Sequence, residues 1–334
     1  MSVKTIRAGV IGLGVGERHV AGYDQIEDCE VAAICDLDTD KLTRVGDHRE
    51  IGTRVTDWRK IVEDPEIDVV SICSYDDAHA EQAEAAFRNG KHVMIEKPIA
   101  LDKGEAEAVL RAQQDSGCLI SSNLILRQSP RFQEIRRMVQ DGAFGDPFYL
   151  EGDYIHQILW KITEGWRGKM DFYCVTYGGG IHLIDLMRWI LGREVTEVSG
   201  MGGKVLTRDS AFPYPDTIVN LLRFEGDVIA KTLTTFGPQR PHLHALTIYG
   251  TKATFVNERP DGRFYQGDDD DGEAVTTPYP AIEKSDLLPD FIAAVREGRE
   301  PIVGARDVFR VMDICFAAWE SVRSGRTVEV SYVL

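Results

Sequence analysis

The segment Gly12-Leu13-Gly14-Val15-Gly16 follows an apolar run, Ile6–Ile11, and opens a helical pattern. Glycine at 12 permits a tight turn, and glycine at 14 lets the backbone approach a pyrophosphate. The helix start beyond presents free N–H groups and a positive dipole end to phosphates. The usual third glycine of such a loop falls at 17, but here 17 is Glu and the glycine is 16. Asp36 closes the next apolar run, Val31–Cys35. A carboxylate there accepts both ribose hydroxyls of NAD and repels the 2′-phosphate of NADP. Leu37 follows it, where an Arg would favour NADP. NAD is therefore the expected cofactor, held by Gly12, Leu13, Gly14, Val15, Gly16 and Asp36. A fourth strand-like run, His92–Ile95, delivers Glu96-Lys97-Pro98 at its C-terminal end, where ligands bind in open parallel sheets.

These residues need a frame. Up to about residue 122, apolar strand-like runs alternate with helical patterns: Ile6–Ile11, Val31–Cys35, Val69–Cys73, His92–Ile95 and Leu119–Ser122 between helices such as Ala78–Asn89 and Lys103–Ser116. That alternation predicts a parallel sheet covered on both faces. Beyond 122 the rhythm changes. Ser129-Pro130 reads as an N-cap followed by proline at the first helical position. Strand-like runs then succeed one another, interrupted by one helical segment, Ile181–Leu191, and two helices near the end. The predicted class is α/β: an N-terminal Rossmann parallel sheet, then an α+β domain with a large open, mostly antiparallel sheet. At 334 residues the chain exceeds the roughly 250–300 that one core holds, so two domains are expected, 1–122 and 123–334.

The formal charge is −16 with no basic block, which argues against a nucleic-acid partner. No apolar stretch reaches the roughly 18 residues of a membrane span, and no leader precedes the first strand, so a cytoplasmic protein is expected. The six cysteines form no C-x-x-C pair and read as buried thiols; no metal site is expected. Asp268–Asp271 reads as a solvated loop tip, since it lacks the spacing of a calcium loop.

Several segments together carry a family resemblance. Ala86 to Pro98 matches "A-x-x-x-G-K-H-V-x-x-E-K-P". Arg127 and Pro130 match "R-x-x-P", Gly142 and Gly145 match "G-x-x-G", and Gly180 to Asp185 matches "G-x-H-x-x-D". Tyr249-Gly250-Thr251-Lys252-Ala253 and the stretch from Ala318 to Val328 match two further elements. In this order they resemble the glucose–fructose oxidoreductase / inositol dehydrogenase (Gfo/Idh/MocA) family. The resemblance implies that Lys97 touches both the nicotinamide ribose and the reacting hydroxyl, and that His182 is the general acid/base. An unperturbed imidazole, titrating near about 6.5, suits that task. It further implies that Ser74, His79 and Glu96 flank the cofactor, and that Asp185, Arg127, Arg167 and Tyr177 face the substrate. His242 and His244 read as structural. The chain departs from the pattern at Gly178, where many members carry Asp; Tyr173, Tyr177 and Arg167 are the candidates to replace it.

The implied activity is NAD-dependent hydride transfer from a secondary hydroxyl of a sugar, polyol or sugar derivative. Two alternatives stand beside it: NAD-assisted elimination or glycoside cleavage without net redox, and a non-catalytic dinucleotide-binding regulator. The second domain's open sheet has a face to cover, and the resemblance implies a homodimer or homotetramer.

Overall fold

The computed structural model describes residues 4–267 and 271–334. Of the acidic run, Asp268, Asp269 and Asp270 lie outside the described residues. The chain forms two compact units. One holds residues 1–125, 283–310 and 333–334, and the other holds 126–282 and 311–332.

The first unit alternates β1 (Ile6–Ile11), α1 (Gly16–Tyr23), β2 (Cys29–Cys35), α2 (Thr39–His48), β3 (Thr53–Val55), α3 (Arg59–Val62), β4 (Val69–Ile72), α4 (His79–Arg88), β5 (His92–Ile95), α5 (Lys103–Ser116) and β6 (Ile120–Ser122). The strands run parallel in the order β3-β2-β1-β4-β5-β6. Their apolar runs are buried on both faces, as a helix-covered parallel sheet requires. The order reverses between β1 and β4, which opens a crevice at the strand ends. Asp102 accepts the Glu105 N–H at 2.9 Å to start α5, and Gly117 ends it at φ +67°.

Residues 283–310 return to this unit, a contact between distant segments with no local signature in sequence. Ser285 packs where a side chain at Gly22 of α1 would stand. Arg296 donates to the carbonyls of Glu27 (2.5 Å) and Asp28 (2.7 Å).

In the second unit, α6 (Pro130–Gln140) opens on proline as expected, but the Ser129 side chain makes no capping bond among the described residues. After β7 (Pro147–Ile155) and the short α7 (Trp160–Thr163) comes α8 (Ile181–Leu191). The sheet is completed by β8 (Val195–Gly203), β9 (Thr217–Phe224), β10 (Ile229–Thr235), β11 (Leu243–Gly250), β12 (Ala253–Val256), β13 (Gly262–Gln266), β14 (Glu273–Val275) and β15 (Val328–Glu329). Its order is β14-β13-β12-β11-β7-β10-β9-β8-β15, and among the described residues only the β7/β10 pair is parallel. Helices α9 (Leu288–Glu297) and α10 (Ala305–Ser324) lie in the C-terminal stretch.

Helix α8 is buried almost all round, so its charged residues need internal partners. Arg127 donates to Asp185 through Nε (2.9 Å) and Nη2 (2.5 Å). Arg188 Nη1 lies 3.8 Å from the same carboxylate and makes a bidentate pair with Glu194 at 2.8 and 2.9 Å. Removing one member of such a network strands the others in low dielectric. Asp185→Ala is therefore expected to cost about 3–5 kcal/mol in urea unfolding. The paired replacement Arg127→Met/Asp185→Leu should recover part of that. A loss below about 1 kcal/mol for Asp185→Ala would contradict a buried, charge-balanced network.

Candidate active site

The glycine loop leaves β1 at Gly12, whose φ is +86°. A Cβ there would come within 2.5 Å of the Cys73 carbonyl oxygen and 2.7 Å of the Ser74 nitrogen. Only glycine lets the ends of β1 and β4 meet. No described atom lies within 4 Å of a Cβ built on Gly14, which is the open side of the loop. At Gly16 a Cβ would meet Val10 Cγ1 at 2.9 Å and Cys73 Cβ at 3.3 Å. Gly16 therefore performs the helix–strand packing expected of a third glycine. Position 17 is released from that constraint, and Glu17 takes Arg44 of α2 in a bidentate pair at 2.7 and 2.8 Å. That pair holds the Glu17 carboxyl below its ordinary range.

Val15 precedes α1, and among the described residues no side chain caps that helix start. Its first-turn amides and dipole suit an anion. Leu13 donates its N–H to Asp36 Oδ2 at 2.6 Å, which fastens the loop to the end of β2. The residues present thus fit a dinucleotide: an open glycine, uncapped amides and a carboxylate at the second strand's end.

Ser74 follows β4, and its hydroxyl donates to Gln82 at 2.7 Å. His79 is fully buried. Its Nδ1 lies 2.6 Å from the Pro98 carbonyl oxygen and its Nε2 3.3 Å from that of Ser74. It clamps the Glu96-Lys97-Pro98 turn to the β4 loop. Glu96 is buried and accepts from Asn123 Nδ2 at 2.6 Å, with His19 Nε2 at 3.8 Å. Burial alone would raise its carboxyl, but the His19 contact and the charges of Lys284 and Lys97 outweigh that and hold it well below the usual carboxylate range. Lys97, between buried Glu96 and buried Pro98, is itself half-buried. Lys284 comes from the returning C-terminal segment, and its carbonyl accepts from Asn123 at 3.0 Å. Nothing local in the sequence marks it.

In the second unit a π-helical turn, Thr176–Gly180, leads into α8 and its His182. A side chain on Gly178 would overlap the Tyr173 hydroxyl, and one on Gly180 would overlap Thr234 Oγ1. On Gly179 a Cβ would come 2.5 Å from the Tyr154 ring. The three glycines thus let two tyrosines and a threonine close onto the turn before His182.

His182 is 5% exposed and stacks with Tyr154, centroids 6.2 Å apart at 24°. Tyr154 Oη lies 3.0 Å from His156 Nδ1. His156 stacks on His242 at 3.8 Å and 10°, and His242 meets His244 at 4.5 Å. The backbone N–H of His244 donates to Tyr279 Oη at 2.7 Å, and its ring Nδ1 lies 3.2 Å from the same oxygen. Burial pushes both the Tyr154 and the Tyr279 phenols up. In the sequence His242 and His244 read as structural, and Tyr154, His156 and Tyr279, which the fold brings together with them, are not singled out. The signal was available: Tyr154/His156 and His242/His244 are spaced by two, and β7 and β11 pair Tyr154 with His244.

The other residues expected at the substrate differ in burial. Asp185 and Arg127 are 1% and 2% exposed and bonded to each other. Tyr177 is buried between Phe172 and Phe316, at centroid distances of 5.7 and 5.8 Å. Arg167 is half-buried over the Trp166 ring (4.2 Å) and the Tyr173 ring (5.8 Å). Of the three candidates to replace an acid at 178, Tyr173 is the one whose hydroxyl abuts Gly178. Among the described residues no group of three or more His, Cys, Asp or Glu is arranged to hold a metal ion, and no helix is long and apolar enough to cross a membrane.

Residues 6–124 match the model described as "Oxidoreductase family, NAD-binding Rossmann fold", and residues 132–256 match the "GFO/IDH/MocA C-terminal domain". Myo-inositol 2-dehydrogenase of Thermotoga maritima is 24% identical over 98% of this chain and 100% of its own length. D-apiose dehydrogenase of Paraburkholderia graminis is 25% identical over 98% of this chain and 91% of its own. The solved structure of levoglucosan dehydrogenase in complex with NADH and L-sorbose superposes with a TM-score of 0.89 at 22% identity, covering 99% of this chain and 100% of that one. With both halves matched in order, the chain belongs to the GFO/IDH/MocA oxidoreductase family and carries its NAD-binding Rossmann domain.

Proposed function

We propose that this protein is an NAD-dependent dehydrogenase that oxidises a secondary hydroxyl of a sugar, polyol or sugar derivative. The observation that carries the reading is the cluster around His182: the imidazoles of His156, His182, His242 and His244 with the phenols of Tyr154 and Tyr279. Such groups donate and accept hydrogen bonds at many angles, which suits a ligand bearing several hydroxyls. Relatives named for myo-inositol, D-apiose and levoglucosan support the same substrate class.

Bound NAD supplies the hydride acceptor. The chain supplies the rest. His182 takes the hydroxyl proton as the carbinol carbon loses its hydride and becomes a carbonyl. Tyr154 stacks against its ring and limits its orientation. The family resemblance implies that Lys97 supplies positive charge to the developing alkoxide, and within the first unit Glu96, clamped through Asn123, fixes where that charge sits. Arg127 and Asp185 act from beneath as the buttress of α8, and His79 acts by holding the Pro98 turn. Tyr173 occupies the volume of a residue-178 side chain, while Tyr177 fills the interior of the same wall.

The second unit also offers an assembly surface. Met201, Val219, Leu221 and Ile229 are 78%, 37%, 58% and 48% exposed on adjacent strands β8, β9 and β10. An apolar patch of this kind on a sheet face suits a second copy.

Three outcomes test these readings. His182→Ala should lower turnover about 10²–10⁴-fold, the usual contribution of a positioned acid/base, with NAD affinity retained by titration calorimetry. Retention of most activity in that variant, with loss in Tyr173→Phe, would move the proton to Tyr173. NAD should give a higher kcat/KM than NADP, and Asp36→Ala should narrow the ratio; equal efficiencies in the unaltered protein would contradict the assignment of Asp36. Light scattering should show a dimer or tetramer that Leu221→Asp disrupts, whereas a 37.3 kDa monomer at micromolar concentration would remove the assembly reading.

A further inference from the structure

Asp36 is more occupied than its place at the end of β2 suggests. Its Oδ2 accepts from Leu13 N–H at 2.6 Å and its Oδ1 from Asp38 N–H at 2.9 Å. Astride both oxygens sits Lys41 of α2, with Nζ 3.5 Å from Oδ1, 3.4 Å from Oδ2 and 3.9 Å from Asp38 Oδ2. These are long contacts. The ammonium hovers over the carboxylate instead of closing on one oxygen, and its side chain remains 33% exposed. The ammonium thus offsets part of the negative charge that Asp36 and Asp38 would otherwise present to an anion arriving at this strand end.

The neighbourhood sharpens the point. Arg44, three residues on and on the same face of α2, is engaged in the bidentate pair with Glu17. Leu37, beside Asp36, is 78% exposed and carries no charge. Lys41 is thus the cation set directly on the Asp36 carboxylate.

We infer that Lys41 gives this chain a 2′-phosphate subsite, so that the Asp36 site admits NADP as a second, weaker cofactor beside NAD. The inference rests on the dinucleotide reading of the Asp36 site. Asp36 sets the preference for unphosphorylated ribose. Lys41 limits that preference by swinging from Asp36 to the phosphate, exchanging one ionic contact for a charge-assisted one. The Glu17–Arg44 pair keeps a second cation from strengthening the subsite, so NAD stays favoured.

Titration calorimetry with two fragments, 5′-AMP and 2′,5′-ADP, isolates the extra phosphate without any turnover. The unaltered protein should bind both, with 2′,5′-ADP weaker by no more than about tenfold. Lys41→Met should weaken 2′,5′-ADP by a further tenfold or so while changing 5′-AMP less than about twofold. Lys41→Arg should keep 2′,5′-ADP binding. Equal losses of both fragments in Lys41→Met would make Lys41 a structural partner of Asp36 only and overturn the inference. So would binding of 5′-AMP with none of 2′,5′-ADP by the unaltered protein, a result that leaves the dinucleotide reading intact. Binding of neither fragment would remove the subsite together with that reading.

Discussion

A carboxylate buried beneath a protein surface must be matched by cations, and Asp185 lies between two. Arg127 grips it from the segment before α6, and Arg188 approaches it from one turn further along α8. This balance fixes the rotation and height of α8 more tightly than apolar packing would, because hydrophobic contacts have no direction and bidentate guanidinium contacts do. His182 lies one turn before Asp185, so its position follows. The glycine turn before it completes the arrangement, since only residues without side chains allow Tyr154, Tyr173 and Thr234 to close on that backbone. A buried ion network beneath α8 and a cluster of rings around His182 are parts of one construction.

The first unit solves a similar problem at the end of β5. Glu96 is buried, and Asn123, His19, Lys97 and Lys284 share its charge. Lys97 is therefore placed by a fixed negative neighbour instead of by its own flexible stem. His79 adds a second fastening by joining the carbonyls of Ser74 and Pro98. The glycine loop is tied in turn by Leu13 to Asp36. Each element expected at the cofactor is held by a neighbour from another strand end, which is how a shallow crevice becomes a preorganised one.

Much of this was legible in the sequence because it is periodic or local. The alternating runs before residue 122 specify a parallel sheet through burial on both faces. The succession of runs after it specifies an antiparallel one. Helix α8 has the bounds its apolar pattern predicts, Ile181–Leu191. What stayed hidden is long-range or compensatory. Glu17 looks like a fault in the glycine loop until Arg44 is seen opposite it. Residues 283–310 return to the first unit through contacts with Gly22, Glu27 and Asp28 that no local pattern announces. The strands β3, β13, β14 and β15 are short or polar and carry no strong alternation. Asp185, Arg127 and Tyr177 have the residue types of ligand contacts, and no local pattern announces how deeply they are buried. The pairs Tyr154/His156 and His242/His244, at the end of β7 and the start of β11, were readable in principle, since spacing by two puts both members on one face. The spacing means little until the two strands are known to be neighbours.

We propose that His182 receives the substrate proton. The pH dependence of single-turnover hydride transfer, measured with cofactor and a reactive polyol both saturating, tests it most directly. The rate should fall on the acid side as the base becomes protonated, and this limb should disappear, along with most of the rate, in His182→Asn. An acid limb that persists unchanged in His182→Asn would place the base elsewhere and contradict the account.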